Sequence, residues 1–185
     1  MNAPRRALAA FVLVLAAALW APPALAEPFI AVMRHALAPG FGDPPGFKVD
    51  DCATQRNLND VGRGQAKTTG KAIRARGIAK ARVISSQWCR CQETARLLGL
   101  GPVETMPALN SLHGRPENRA AQMAALAAFL KDLAAKPDAE PVVLVTHHTV
   151  VLELTGRGPA SGEVFLLKLD PAGKPTVVGN ILTKD

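Results

Sequence analysis

Val32-Met33-Arg34-His35-Ala36 places an Arg-His pair directly after the apolar run Phe29-Ile30-Ala31-Val32-Met33. A second apolar run, Val142-Val143-Leu144-Val145, likewise ends on histidine, in Thr146-His147-His148. Short continuous apolar runs of this kind fit strands buried on both faces of a parallel sheet. In an open α/β sheet the carboxyl ends of the strands border the crevice where ligands bind. Both imidazoles are therefore expected along one edge. The arginine beside the first points to an anionic ligand, and phosphate is the obvious candidate.

The rest of the chain alternates helix and strand signals. Residues 36–57, with Pro39-Gly40 and Asp43-Pro44-Pro45-Gly46, form a loop too long to be idle in a compact domain, and it is expected to fold over the crevice. Asn59 or Asp60 caps a helix to about Arg76, stopped by Gly77, with Ala66, Thr69 and Ile73 at helical spacing. A strand over 82–86, a helix over 87–98 ended by Gly99 and a short strand over 103–106 follow. Asn118 caps a helix with Met123, Leu126, Leu130 and Leu133 on one stripe, halted before Pro137. Then come a strand over 142–146, a helix over 149–154 stopped by Gly156, and a hairpin of 164–169 with 176–182 across Asp170-Pro171-Ala172-Gly173. This order predicts an α/β fold, a three-layer α/β/α sandwich around a mostly parallel sheet with an antiparallel edge.

Residues 1–26 read as a secretory signal peptide. Arg5-Arg6 precede an apolar run over 7–19, and Ala24-Leu25-Ala26 fits an A-x-A cleavage site before Glu27. The run is short for a bilayer span and no cysteine follows the small residues, so neither stable membrane insertion nor a lipid anchor is expected. An arginine pair alone is weak support for twin-arginine export, and the general secretory route leads. The expected mature chain, 27–185, has 159 residues, enough for one domain with a two-sided core, in the periplasm or secreted. The whole chain carries a formal charge of +7; without its leader, 20 basic residues face 15 acidic ones. That balance suits an anionic ligand, but no basic run interleaved with aromatics points to nucleic acid.

Three cysteines, Cys52, Cys89 and Cys91, lie beyond the leader. An oxidising compartment favours one bridge and one remaining thiol. Cys89 and Cys91 sit too near each other for an easy link, so Cys52 with either of them is expected. Such a bridge would staple the long loop to the segment bearing Arg90. Three buried, reduced thiols are the alternative.

Arg90 belongs to Ser85-Ser86-Gln87-Trp88-Cys89-Arg90-Cys91-Gln92-Glu93-Thr94-Ala95, which ends a strand and opens a helix. That places its guanidinium in a first helical turn above the ligand edge, where backbone N–H groups already favour anions. Arg56-Asn57-Leu58-Asn59-Asp60-Val61-Gly62-Arg63 is mostly a capped helix start, with Arg56 near enough to reach the ligand.

Taken in order, these segments resemble the histidine phosphatase superfamily, the phosphoglycerate-mutase-like fold. Arg34-His35 resembles its R-H-G/A signature, Arg56 to Arg63 its R-x-L-x-x-x-G-R segment, and Ser85-Ser86 with Arg90 and Thr94-Ala95 its S-S-x-x-x-R-x-x-x-T-A segment. Thr146-His147 is similar to the strand bearing the second family histidine. The resemblance implies that His35 is the nucleophile, forming a phosphohistidine that water hydrolyses. It implies that Arg34, Arg90 and His147 hold the phosphoryl oxygens, that Arg56 contacts substrate, and that no metal or cofactor takes part.

One departure stands out. Many members carry a glutamate after the third strand, or an aspartate directly after the late histidine, to protonate the leaving group. Here Pro107-Ala108-Leu109-Asn110-Ser111-Leu112-His113 contains no carboxylate and His148 follows His147. A phosphoramidate tolerates that loss better than an alkyl ester, since its nitrogen leaves readily once protonated. In this the chain resembles the small phosphohistidine phosphatases, whose relay substrates are cytoplasmic, whereas this chain is expected to be exported. A bound water or His113 would be the substitute donor, although His113 reads first as a loop bystander, and Asp43 and Asp50 have nothing to distinguish them. Glu153 is expected to pair with a surface base and Ser161-Gly162-Glu163 to be structural.

The leading expectation is a metal-independent phosphatase for a phosphomonoester or phosphoramidate, acting on a phosphorylated small molecule or envelope component. A mutase is disfavoured, having lost a tool for phosphoryl return. A zinc site built from His35, His147 and His113 would set two arginines against a cation. A non-catalytic binder of an envelope phosphate on the same fold is the remaining alternative.

Overall fold

The computed structural model describes residues 29–136 and 140–183; the expected signal peptide lies outside them. Six strands form one sheet: β1 (Ile30–Arg34), β2 (Arg82–Ser85), β3 (Val103–Thr105), β4 (Val142–Thr146), β5 (Val164–Leu169) and β6 (Pro175–Ile181), in the order β3-β2-β4-β1-β5-β6. β3, β2, β4 and β1 run parallel, whereas β5 and β6 add an antiparallel edge. Among the described residues four α-helices cover it: α1 (Asp60–Arg74), α2 (Cys89–Leu98), α3 (Arg119–Ala134) and α4 (His148–Thr155).

Alternation along the strands builds two cores. Ile30, Val32, Val142 and Leu144 face Leu126, Leu130 and Leu133 of α3 and Val150 and Val151 of α4. Ala31, Met33, Val143 and Val145 face the opposite layer, with Ile73 of α1 and Ala95 and Leu98 of α2. Successive strand side chains point to opposite faces, so unbroken apolar runs are what a sheet covered on both sides demands. The three-layer sandwich is thus the observed fold. On one side α1 lies so close to α2 that a Cβ on Gly70 would fall 2.1 Å from the Leu98 carbonyl oxygen, and only glycine permits that approach.

Several expected boundaries shift for local reasons. β1 is displaced by one residue and includes Arg34, because its ladder with β4 runs on to Arg34 opposite Thr146. α1 ends at Arg74, short of the expected Arg76. The second helix starts at Cys89, not at 87. Before it, the Gln87 N–H donates to Asn110 Oδ1 (2.9 Å) and the Trp88 N–H to Ser86 Oγ (3.2 Å), holding an extended turn. Asn118 does not cap α3: it closes a 3-10 turn over Pro116–Asn118 in helical conformation and makes no capping bond. By contrast, Asn59 caps α1 as expected, its side chain accepting the Gly62 N–H at 2.8 Å. α4 begins one residue early, at His148, and Asp170 closes the hairpin by accepting the Ala172 and Lys174 N–H groups, both at 2.9 Å. Among the described residues no helix is long and apolar enough to cross a membrane.

Candidate active site

Sheet register brings the two histidines together. β1 and β4 are parallel neighbours with Arg34 opposite Thr146, and the His35 N–H donates to the Thr146 carbonyl at 2.9 Å. The residues that follow, His35 and His147, therefore leave adjacent strands at the same edge. Their ring centroids lie 5.5 Å apart, nearly perpendicular. Both are buried, at the base of a cavity of about 620 Å³ that Arg34, Arg56, Arg90 and Asp43 also line.

The His35 ring presents a free lone pair to the cavity. Its Nδ1 lies 2.8 Å from the Ala36 carbonyl oxygen, which only accepts, so Nδ1 carries the proton and Nε2 keeps a free lone pair. Burial, and then the positive charges of Arg90, Arg34 and Arg56, push its pKa down to about 3. The ring is neutral at physiological pH. His147 is likewise held well below the ordinary imidazole range, by burial first and then by His35 and Arg90.

Both ring nitrogens of His147 are engaged. Nδ1 receives an N–H from Arg90 at 3.4 Å, and a guanidinium can only donate, so Nε2 carries the proton and donates to Ser86 Oγ at 2.9 Å. Ser86 in turn donates to Asn110 Oδ1 at 3.2 Å. This chain holds the ring against Arg90.

Arg90 is the second residue of α2, as its first-turn placement anticipated. Its partner is a surprise. Asp43, expected to have no special role, grips Arg90 with both oxygens, at 2.6 Å to Nη1 and 3.1 Å to Nη2, with the Arg90 side chain only 3% and that of Asp43 8% exposed. The Trp88 indole and the Arg56 backbone N–H also donate to it, at 3.0 and 3.1 Å. Burial pushes the Asp43 carboxyl up, but the hydrogen bond and charge of Arg90 and the two further donors outweigh it and hold the group below the usual carboxylate range. Asp43 is thus an ionised clamp, not a proton donor.

Two donors remain. Arg34 Nε and Arg90 Nε are buried without a hydrogen-bond partner among the described residues. A buried unpartnered N–H is costly, and a pair of them on arginines flanking a neutral imidazole fits an anion. Arg56 reaches the cavity as expected, yet its Nε donates to the Gly42 carbonyl at 2.8 Å and its Nη1 to that of Ala38, which anchors the loop.

The loop is covalently tied as well. Cys52 and Cys89 form a disulfide with Cα atoms 5.6 Å apart, whereas Cys91 is a buried free thiol whose pKa burial raises to about 12. Of the two open pairings, the one to the residue before Arg90 is realised.

The remaining candidates separate. His113 and His148 are exposed and both line the cavity; His113 meets Phe41 edge to face at 4.9 Å, and His148 Nδ1 lies 3.3 Å from the Pro159 carbonyl. Among the described residues no group of three or more His, Cys, Asp or Glu side chains is arranged to hold a metal ion. Glu153 pairs with Arg119 at 2.7 Å, and Glu163 binds the Ala160 N–H and Asn180 side chain, both outside the cavity.

Comparison with known proteins bears on the fold. Residues 51–125 match the histidine phosphatase superfamily (branch 1). No curated protein matches the chain by sequence. Among solved structures, the protein histidine phosphatase SixA complexed with tungstate is 18% identical with a TM-score of 0.61, over 83% of this chain and 96% of that one. A structure described as mycobacterial hydrolase 1 is 16% identical with a TM-score of 0.58, over 81% and 95% of the two chains. A mycobacterial glucosyl-3-phosphoglycerate phosphatase with bound VO3 is 18% identical with a TM-score of 0.53, over 76% and 92%. At these identities the likeness establishes the shared fold, that of the histidine phosphatases.

Proposed function

We propose that this chain, which is similar to the histidine phosphatase superfamily in its fold and over residues 51–125, is a metal-independent phosphatase that hydrolyses a phosphomonoester or phosphoramidate through a phosphohistidine on His35. The observation that carries this reading is the neutral His35 ring: Nδ1–H is spent on Ala36, leaving the Nε2 lone pair among three arginines.

The reaction follows from these groups. The Nε2 lone pair attacks phosphorus in line as the bond to the leaving oxygen or nitrogen breaks, and the leaving group takes that electron pair with a proton from outside the clamp. Water then attacks the phosphohistidine, releasing phosphate and regenerating the neutral ring. Two displacements replace one difficult step. Arg34 and Arg90 offer their unpartnered Nε–H donors to the phosphoryl oxygens, where charge shifts during transfer. His147, whose Nδ1 accepts from Arg90, holds that guanidinium beside the phosphoryl site.

An exported site of action is part of the proposal. The leader-like residues 1–26 and the Cys52–Cys89 disulfide both support it. The substrate is then a phosphorylated small molecule or envelope component.

Para-nitrophenyl phosphate and phosphoramidate, each with and without chelator, test the reading on the wild type beside His35→Ala. Hydrolysis that resists chelator and vanishes in the variant is expected. Full activity in His35→Ala would overturn the nucleophile, and an inert wild type that still binds phosphate would favour the non-catalytic binder.

A further inference from the structure

A phosphoryl group occupies a small part of a cavity of about 620 Å³, a volume in the range that accommodates whole small-molecule ligands. Its lining also carries a cation that the hydrolysis above does not use. Arg115 lines the cavity from the segment after β3, directly after Gly114, which adopts a left-handed φ of +68°. Its guanidinium carbon lies 5.1 Å from the ring centre of Phe47 and 5.1 Å from that of Trp88. Those two rings hold the side chain in place by cation–π attraction.

We propose that Arg115 binds a second anionic group on the leaving portion of the substrate, so that the substrate class is a phosphorylated compound bearing a carboxylate or a further phosphate. This rests on the phosphatase reading for the meaning of "leaving portion" and adds a second recognition point to it. Four arginines line the cavity against one carboxylate, Asp43, and Arg90 already engages both oxygens of that carboxylate. Arg34 and Arg90 present the donors that suit the phosphoryl group, and Arg56 is committed to the loop carbonyls. Arg115 makes no ion pair or side-chain hydrogen bond among the described residues, which leaves its planar array of N–H donors for a ligand. Such a fork matches a carboxylate or phosphate.

Trp88 links the two parts of the cavity wall. One side of its indole meets Arg115, its ring stands edge to face with His147 at 5.4 Å, and its N–H holds Asp43. Arg115 and His147 thus contact the same indole, and a ligand held at one site lies against the wall that carries the other.

Inert phosphonates test this by affinity, so the outcome does not depend on turnover. Calorimetry would compare benzylphosphonate, 3-carboxybenzylphosphonate and the 1,3-bis(phosphonomethyl) analogue on wild type, Arg115→Met and Arg115→Lys. The wild type should prefer at least one doubly charged ligand over benzylphosphonate by about 10-fold to 100-fold, the usual worth of a charged hydrogen bond. Arg115→Met, which keeps an unbranched stem against both rings, should abolish that preference, and Arg115→Lys should retain part of it. Whichever doubly charged ligand is preferred identifies the second anion as carboxylate or phosphate. A preference that survives in Arg115→Met, or equal or absent binding of all three by the wild type, overturns the proposal. Failure of the phosphatase reading would show separately, as retained activity in His35→Ala.

Discussion

The inner and outer halves of the cavity are built by different means. The inner half, Arg34, His35 and His147, hangs from two parallel strands whose register places one histidine beside the other. The outer half, Asp43, Phe47 and Arg56, rides on an irregular loop held by a disulfide, a carboxylate clamp and arginine bonds to backbone carbonyls. A ladder of backbone hydrogen bonds positions chemistry without depending on any one side chain. A loop positions recognition, and every tether is a single point of failure. Arg90 belongs to both halves, since it flanks His147 on one side and carries Asp43 on the other.

Arg90→Ala therefore strikes the seam and should have the largest effect. Turnover is expected to fall by roughly a hundredfold to a thousandfold, as for loss of one transition-state donor. Stability should fall by about 3–5 kcal/mol, because Asp43 is left buried without its counter-charge. Adding Asp43→Ala should recover part of the stability and none of the turnover; urea unfolding and steady-state kinetics on the single and double variants separate the two effects. Full recovery of both would mean that the halves are not distinct.

Loss of the disulfide strikes the outer half alone. Its 37-residue separation gives a loop-closure contribution of about 3–4 kcal/mol, exerted mainly on the unfolded chain. Cys52→Ser with Cys89→Ser should lower the melting temperature and raise KM as the loop loosens, with kcat much less affected. A collapse of kcat like that of Arg90→Ala would contradict the division.

A graded effect, spread over several pH units, belongs to the inner half. The folded pKa of His35 is about 3, below the ordinary 6.5 of the unfolded chain, and that of His147 is lowered as well. Above pH 6.5 both rings are neutral in either state and contribute no pH dependence. As pH falls from 6.5 toward 3, the unfolded chain takes protons that the buried rings refuse, so stability declines across that window. Unfolding in urea at stepped pH checks the slope, and ring NMR checks its origin. A His35 titration near 6.5 in the folded protein would contradict the buried neutral ring.

The same contrast explains what could be read in advance. Periodicity and apolar runs locate strands, strand ends locate His35 and His147, and a strand-to-helix junction locates Arg90; all three signals are local, and the fold preserves them. Asp43 and Arg115 carry no such signal. Each lies in an irregular segment whose path depends on partners distant in sequence, Arg90 for one and the Phe47 and Trp88 rings for the other. Asn118 failed as a cap for a related reason: Pro116 starts a 3-10 turn that delivers Asn118 already in helical conformation. The bridge from Cys52 could not be resolved between Cys89 and Cys91 until the helix start was known, since that start turns Cys91 into the core beside Thr146.

The central claim is that His35 accepts the phosphoryl group. Wild-type protein mixed with para-nitrophenyl phosphate, quenched within the first turnover under alkaline conditions and mapped by peptide mass spectrometry, should carry one phosphoryl group on the peptide containing His35, and His35→Ala should carry none. A turning-over enzyme with no phosphorylated peptide, or with the group on another residue, would contradict the account.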